Sequence, residues 1–560
     1  MKINPILNEI NSDSFLLDYL TACGVEDSKK YLEADLSCAQ SPWLYPNMKE
    51  AVDRLHQASK RNDKIGILID CDYDGISSAA CLYNFLMSVC PKLDIKTFMH
   101  VGKGHGLVQN SEEDIVQQVI DSGVTLLFAP DSTSNDKDGC MQLKSQGVDI
   151  IVLDHHEIVE DNPYAIIVNH HLDKTGELNI DLSGCGVTFK FIQAYAEDNA
   201  IDIGDLYYDL VATSIVTDVC SMLHPENRAL VEYGFNHITN PMVATMFEKF
   251  NRRGNNPIGV AWGIGPAVNA VIRSSDQDAK WALFNGFINS ENIDDGISAA
   301  RKAHNAQTKI VKELYEKIEP TLDNSRKVLV GYSDDENKSF SGLIANKILG
   351  NFGKPCLILR EMNTTTLTGS LRSPVDIADK INASYLAKCQ GHASACGIFV
   401  KKSNLNKLLD WFDKQDLSQK PIKTVTAEIN PNNIDIPLCK ACQDNMMLWS
   451  GSDGGKIPQP KFYVKLDITP DDVTVFAKKT NTVKVVKDGV SFIKFSVPQS
   501  IVDDLKNGDN ILEMIVSLEV NEWNGNFTPQ ANIEEWEITP KEKKEEFIDN
   551  SEFDWDEVFK

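Results

Sequence analysis

The sequence predicts an α/β protein: a parallel-sheet domain and a second α/β domain joined by a long helix, with a C-terminal β unit. Three observations carry this. Short β-rich runs alternate with helical stretches from about residue 64 to 220, the texture of a mostly parallel sheet covered on both faces. Residues 292–323 read as one polar-faced helix ending near Pro320, a bridge between domains, with a second αβ region behind it. From about 425 to 540 the segments alternate apolar and polar residues, as in a small barrel or sandwich.

Length and composition agree. At 560 residues the chain exceeds one core, so three or four domains are expected. The boundaries fall at 1–60 (helical lead-in), 61–290, 291–323 (connecting helix), 324–420, 425–540 and 541–560 (acidic tail). No apolar run approaches the roughly 18–20 residues of a membrane span. The N-terminus, MKINPILNEINSDSF, lacks the apolar core and cleavage site of a signal peptide. Thirteen cysteines without a framework pattern fit reduced thiols in a cytoplasm. Cys439 and Cys442 have CxxC spacing but no second pair, so they read as structural rather than zinc-binding. A net charge of −26 excludes a protein that coats nucleic acid nonspecifically. It leaves room for a local groove.

The expected strands are 64–70, 94–100, 124–130, 148–154 and 164–170. Among the helical segments between them, 111–123 opens on a Ser N-cap. Parallel sheets place ligands at the C-terminal ends of their strands. Three strands end in or lead into an acid: Asp70, Asp131 and Asp154. Farther on, 327–333 and 355–361 read as strands flanking a helix at 339–353.

The stretch GILIDCDYDG sets Asp70, Asp72 and Asp74 on alternate positions after an apolar run. Uncompensated carboxylates repel and are costly to desolvate, so cations are expected there. Asp131 in APDSTSND, Asp154-His155-His156 in VLDHHEIV and Asp218 after YYDLVATSIVT supply further ligands. Carboxylates with one or two imidazoles and no thiolate suit Mn²⁺ or Mg²⁺. Two such ions roughly 3.5–4 Å apart serve hydrolysis of phosphate esters.

These motifs resemble the DHH phosphoesterase superfamily, and within it the RecJ-type single-strand-specific 5′→3′ exonucleases. NMKEAVDRLHQA (47–58), LSGCGVTFKFIQAY (182–195), ENRALVEYG (226–234) and IGPAVNAVIR (264–273) resemble the family's segments in the same order. GSLRS (369–373) and QGHASACG (390–397) are similar to signatures of the associated DHHA1 domain. GGKIPQPKF (454–462) resembles the turn before the family's OB-fold barrel, so the C-terminal unit is expected to be OB-like.

The resemblance implies metal ligation by Asp70, Asp72, Asp74, Asp131, His155 and Asp218, with Asp131 bridging two Mn²⁺ or Mg²⁺ ions. It implies that His156 touches substrate phosphate and that Asp154 steadies the histidine pair. Arg372, Ser373, Gly391 and His392 are implied to hold the nucleic-acid backbone, with Asn269 and Arg273 lining the same cleft. Lys103 and His105 are further phosphate contacts, and Arg228 is open between a structural and a functional role. The implied activity is metal-dependent 5′→3′ hydrolysis of single-stranded DNA to mononucleotides, in recombination, repair or replication. The DHHA1 domain is expected to leave a channel too narrow for duplex, and a monomer is expected. The alternatives are a phosphodiesterase for short oligonucleotides or cyclic dinucleotides, and a silent scaffold of a replication complex.

The chain departs from the pattern in places. Leu68 stands where small-substrate members carry histidine, which favours the exonuclease side. The second motif reads DSTSND, and Gln390 and Cys396 alter the GGHxxAAG signature. The last residues, 545–560, interleave acids with Phe547, Phe553, Trp555 and Phe559. Such a segment is disordered alone and fits a peptide that docks on a single-strand-binding or replication protein.

Overall fold

The computed structural model describes residues 1–101, 104–107, 114–250, 254–274, 276–334, 340–417, 423–477 and 480–541, except the side chains of His392 and Asp453. The acidic tail and Lys103 lie outside the described residues.

The first sheet is built of β1 (Lys64–Ile69), β2 (Asp94–Met99), β3 (Leu126–Pro130), β4 (Asp149–Leu153) and β5 (Ile166–Val168). They stand in the order β2-β1-β3-β4-β5, and every pairing is parallel. β3 is buried at all positions, as a sheet covered on both faces requires. The chain leaves β1 outward to β2 and then crosses back to β3, so the strand order reverses at β1. Beyond the carboxyl ends of β1 and β3 the connections diverge and open a crevice. The strands end one residue before Asp70, Asp131 and Asp154, which places all three at that edge.

One boundary moves. The helix expected from Ser111 starts at Ile115, because the Asp114 side chain accepts from the Gln117 amide and caps it. Ser111 itself lies outside the described residues.

Helix α1 (Tyr73–Val89) leaves the β1 end and packs against α2 (Gly184–Asp198) and α3 (Tyr208–Thr217). After helices Pro225–Asn236 and Pro241–Phe250 comes α4 (Gly265–Arg273), entered through Pro257–Gly259 and a π-helical turn, Val260–Ile264. The bridge is α5 (Ile293–Ile318). Its Ile297 and Ala300 join the core of the first sheet, and Tyr315 and Ile318 that of the second. The polar stretch between them is what a helix spanning two cores needs.

The second sheet comprises β6 (Leu329–Tyr332), β7 (Cys356–Glu361), β8 (Thr366–Arg372), β9 (Ala387–His392) and β10 (Ala395–Lys401). Its order is β9-β10-β8-β7-β6, with only β6 and β7 parallel. The third comprises β11 (Ala427–Glu428), β12 (Phe462–Ile468), β13 (Val473–Ala477), β14 (Asn481–Lys487), β15 (Val490–Val497), β16 (Asn510–Trp523) and β17 (Asn526–Pro540). It is mostly antiparallel, in the order β11-β12-β16-β17-β15-β14-β13. Helices Ile436–Gln443 and Gln499–Asn507, which alternation does not reveal, are inserted in it. Cys439 and Cys442 are buried on the first of these as free thiols.

The lead-in is not purely helical. Ile3–Pro5 pairs in parallel with Lys423–Val425, and the Met1 ammonium meets Glu513 and Glu537 at 3.1 Å each. Phe15 packs on Phe462 and Tyr19 on Trp449, so the N-terminal segment, the first sheet's helices and the third sheet share one core. Among the described residues no helix is long and apolar enough to cross a membrane.

Gly234, in the ENRALVEYG segment, lets helix Pro225–Asn236 touch α3: a Cβ there would lie 2.2 Å from the Tyr208 carbonyl oxygen. The Tyr208 backbone and the Ala212 Cβ, at 2.7 Å, leave nothing flexible to yield. Gly234→Ala is expected to cost about 1–3 kcal/mol, read as a lower urea midpoint at unchanged m-value. An unchanged midpoint contradicts the tight packing.

Candidate metal centre and substrate cleft

The alternation DCDYDG serves one geometric end. Asp70 closes β1, Asp72 caps α1 by accepting from the Gly75 amide at 2.9 Å, and Asp74 rides on the first turn. A helix N-terminus favours carboxylates in its first turn. Asp70 accepts from the Gly106 amide at 3.1 Å, and its other oxygen lies 2.7 Å from His105 Nδ1. Asp74 is held by the Gly184 and Cys185 amides at 2.7 and 2.8 Å and by the Ser214 hydroxyl. The N-terminus of α2 and the side of α3 thus fix this carboxylate. Neither Ser214 nor the α2 amides stand out in the sequence, although the LSGCGVTFK motif marks the second.

Asp131 differs from all of these. It has φ 61°, an unusual left-handed conformation for a side-chain-bearing residue, and is 1% exposed. Among the described residues neither of its carboxylate oxygens accepts a hydrogen bond. Its surroundings are tight on one side: a Cβ on Gly184 would lie 2.4 Å from Asp131 Oδ1. On the other stands His155, whose Nε2 is 3.2 Å from Asp131 Oδ1 and 3.8 Å from both Asp74 Oδ2 and Asp218 Oδ2. Asp218 follows the last turn of α3, which aims it into the same space.

Asp154 does not reach into this group. Its carboxylate accepts from the amides of His155, His156 and Ser134, and lies 2.8 Å from His156 Nδ1. Burial alone would raise this carboxyl, but the His156 hydrogen bond and charge hold it below the usual range. His156 is held up to about 9 by the same hydrogen bond, against burial. Asp154 is therefore a positioning residue.

Asp131, Asp218 and Asp72 are raised by burial first and by neighbouring carboxylates second. Asp131 is pushed well above the ordinary carboxylate range by burial and then by Asp74, and Asp218 rises to about 7 for the same reasons. Asp72 moves in the same direction. Three sets have ligand atoms within 4.8 Å of one another: Asp131-His155-His156, Asp74-His155-Asp218 and Asp70-Asp72-Asp131. An orphaned buried carboxylate among oxygen donors and one imidazole fits a hard divalent cation, and the absence of thiolate among these donors argues against structural zinc.

Beside the acids lies a cleft of about 420 Å³ lined by Asp70, Asp72, Asp74, His105, Asp218, Asn269 and Arg273. Asn269 and Arg273 are thus brought to the site. Arg372, Ser373 and Gly391 are not: they sit at the β8 and β9 ends of the second sheet and do not line this cleft. Arg372 donates to the Leu371 carbonyl at 2.8 Å. The Ser373 hydroxyl donates to the Val375 carbonyl, so it shapes a turn instead of facing a ligand. The side chain of His392 lies outside the described residues. His105, expected as a phosphate contact, is engaged by Asp70. Arg228 is structural, donating to the carbonyls of Ala34 and Leu32.

If cations balance these charges, Asp131→Asn has opposite effects with and without metal. It is expected to raise the melting temperature of metal-free protein, because folding no longer has to hold an acid whose carboxyl is pushed above its unfolded value by burial and by Asp74. It should also abolish most of the stabilisation that Mn²⁺ gives the wild type. Calorimetry with Mn²⁺ and with chelator reads both. Equal Mn²⁺ stabilisation of variant and wild type contradicts the assignment.

Residues 64–215 match the DHH family, N-terminal domain. A putative single-strand DNA-specific exonuclease of Bacillus phage SPbeta is 26% identical over 96% of this chain and 98% of its own. The single-stranded-DNA-specific exonuclease RecJ of Bacillus subtilis (strain 168) is 23% identical over 96% of this chain and 70% of its own. The structure of RecJ in complex with Mn²⁺ from Thermus thermophilus superposes with a TM-score of 0.71 at 18% identity, covering 97% of this chain and 79% of that one. Residues 64–215 thus carry the fold and the acid and histidine pattern of a DHH N-terminal domain, and over most of its length the chain is similar to RecJ-type exonucleases.

Proposed function

We propose that the protein is a two-metal phosphodiesterase that degrades single-stranded DNA from its 5′ end to mononucleotides, in recombination, repair or replication. The observation that carries this is Asp131, a fully buried carboxylate with no hydrogen-bond donor among the described residues, ringed by Asp72, Asp74 and His155. The names of the relatives support single-stranded DNA as the substrate.

On this reading Asp70, Asp72, Asp74, Asp131, His155 and Asp218 would hold two Mn²⁺ or Mg²⁺ ions, with Asp131 shared. Such ions, when bound, lower the pKa of water and offset charge on a phosphate. The chain's own groups do the rest. Asp154 keeps His156 charged through Nδ1, which leaves an N–H on Nε2 for a phosphate oxygen. Arg273 and Asn269 face the strand from α4. Arg372, Gly391 and His392 grip its backbone from the second sheet, Arg372 through the planar fork that matches phosphate. No side chain is required as a covalent nucleophile. The third sheet guides the strand by stacking and backbone charge. The tail, residues 545–560, docks on a single-strand-binding or replication protein.

The test uses 5′- and 3′-labelled oligonucleotides with Mn²⁺. The wild type should release labelled mononucleotide from the 5′ end of a single strand and leave blunt duplex largely intact. Asp131→Ala and His155→Ala should each lower kcat by about 10³-fold or more. Retention of more than about a tenth of wild-type activity by either variant sinks the two-metal reading. Arg372→Ala should raise KM more than it lowers kcat. Deleting 545–560 should leave activity on bare oligonucleotide unchanged. Digestion of duplex as fast as of single strand contradicts the proposed specificity.

A further inference from the structure

The helix that supplies Asn269 and Arg273 to the cleft has an unusual entrance. Pro257–Gly259, the π-helical turn Val260–Ile264 and α4 run on without a break, since Gly259, Ile264 and Gly265 all keep right-handed helical angles. A π turn gives up regular hydrogen bonding to rotate the helix beyond it, and such turns cluster at functional sites. Here it presents Trp262, which is 69% exposed. The residues around it are fixed. Val260 and Ile264 are fully buried, and Ala261 faces Gly451, where a Cβ would lie 2.3 Å from the Ala261 Cβ. Among the described residues the Trp262 indole stacks on no other ring. It is a rigid backbone holding a bare aromatic face in water.

Its position gives that face a use. Asn269 and Arg273, four residues apart in α4, share one stripe of the helix. Both line the acid-lined cleft; the π turn shifts the register between Trp262 and Asn269 by less than one residue, which leaves Trp262 on the same side of the helix about 10 Å from Asn269, at roughly 1.5 Å per residue. That distance equals about three nucleotides at the ~3.4 Å spacing of a stacked strand. An exposed indole is costly in water but gains from stacking on a base, and it does so without sequence preference because every base has a π face.

We infer that Trp262 is a base-stacking subsite for single-stranded nucleic acid, receiving a base about three nucleotides from the scissile end. This rests on the proposed reading of the cleft. Continuity identifies the occupant: a polyanion engaged by Arg273 and Asn269 leaves the cleft along this stripe.

The experiment measures binding of a fluorescent single-stranded 12-mer to the full chain by anisotropy, with Ca²⁺ replacing Mn²⁺ to suppress hydrolysis. Trp262→Ala should weaken binding about 5- to 100-fold, and Trp262→Phe should restore most of it. An abasic site scanned along the 12-mer should weaken wild-type binding at one internal position. That same substitution should add nothing in Trp262→Ala. Equal affinity of Trp262→Ala and wild type, or a flat abasic scan, overturns the subsite and leaves the nuclease reading standing. A wild type that binds no oligonucleotide overturns both. A wild type that binds but does not hydrolyse with Mn²⁺ overturns only the nuclease reading, and the Trp262 comparison still decides the stacking. If Trp262→Ala instead changes sedimentation of the free protein with affinity unaltered, the face is a contact between copies of the chain, and the inference fails.

Discussion

Mutual repulsion among buried carboxylates is the constraint on which the rest of this structure depends. Asp70, Asp74 and Asp131 are each no more than 3% exposed; Asp74, Asp131 and Asp218 converge on the His155 imidazole, and Asp70 and Asp72 close on Asp131 from the other side. Water cannot screen charges in such a place, and no lysine or arginine forms an ion pair with any of them among the described residues. The fold must therefore hold these groups rigidly against their own repulsion. It does so with backbone amides and helix ends, which donate without adding a competing side chain.

Each element of the first sheet contributes to that task. Reversal of the strand order at β1 opens the crevice, and three strands deliver an acid one residue past their ends. The N-terminus of α2 clamps Asp74 with two amides, and Gly184 leaves room for Asp131 beside it. Asp154 spends its hydrogen bonds on the amides of Ser134, His155 and His156, and so sets both imidazoles while staying outside the cluster. The outcome is a division between acids whose oxygens are engaged and Asp131, whose oxygens are left for a cation. Loss of the engaged acids' partners would misplace the site. Loss of Asp131 would empty it.

Much of this was legible in the residues. The five β-rich runs are strands, and the acids fall at their ends because apolar runs stop where buried charge begins. The polar bridge is legible because α5 buries residues only near its two ends. What escaped reading has local physical causes. Asp114 caps the helix Ile115–Ser122 after β2, since several capping residues compete there and only the packed chain selects one. The helices at Ile436–Gln443 and Gln499–Asn507 are short and sit among strands, so alternation masks them. Ser214 and the α2 amides act through space on Asp74, 110 to 140 residues away in sequence, and no spacing rule reports such a contact. The Ser373 hydroxyl turned inward because a turn residue satisfies its own backbone first.

The acids and the histidine pair have a common explanation only if cations complete them. The most direct test is a crystal structure of the protein grown with Mn²⁺, with anomalous data collected at the manganese edge. Two peaks roughly 3.5–4 Å apart, with Asp131 bonded to both, are the expected result. A single peak, or peaks that Asp131 does not touch, would contradict it.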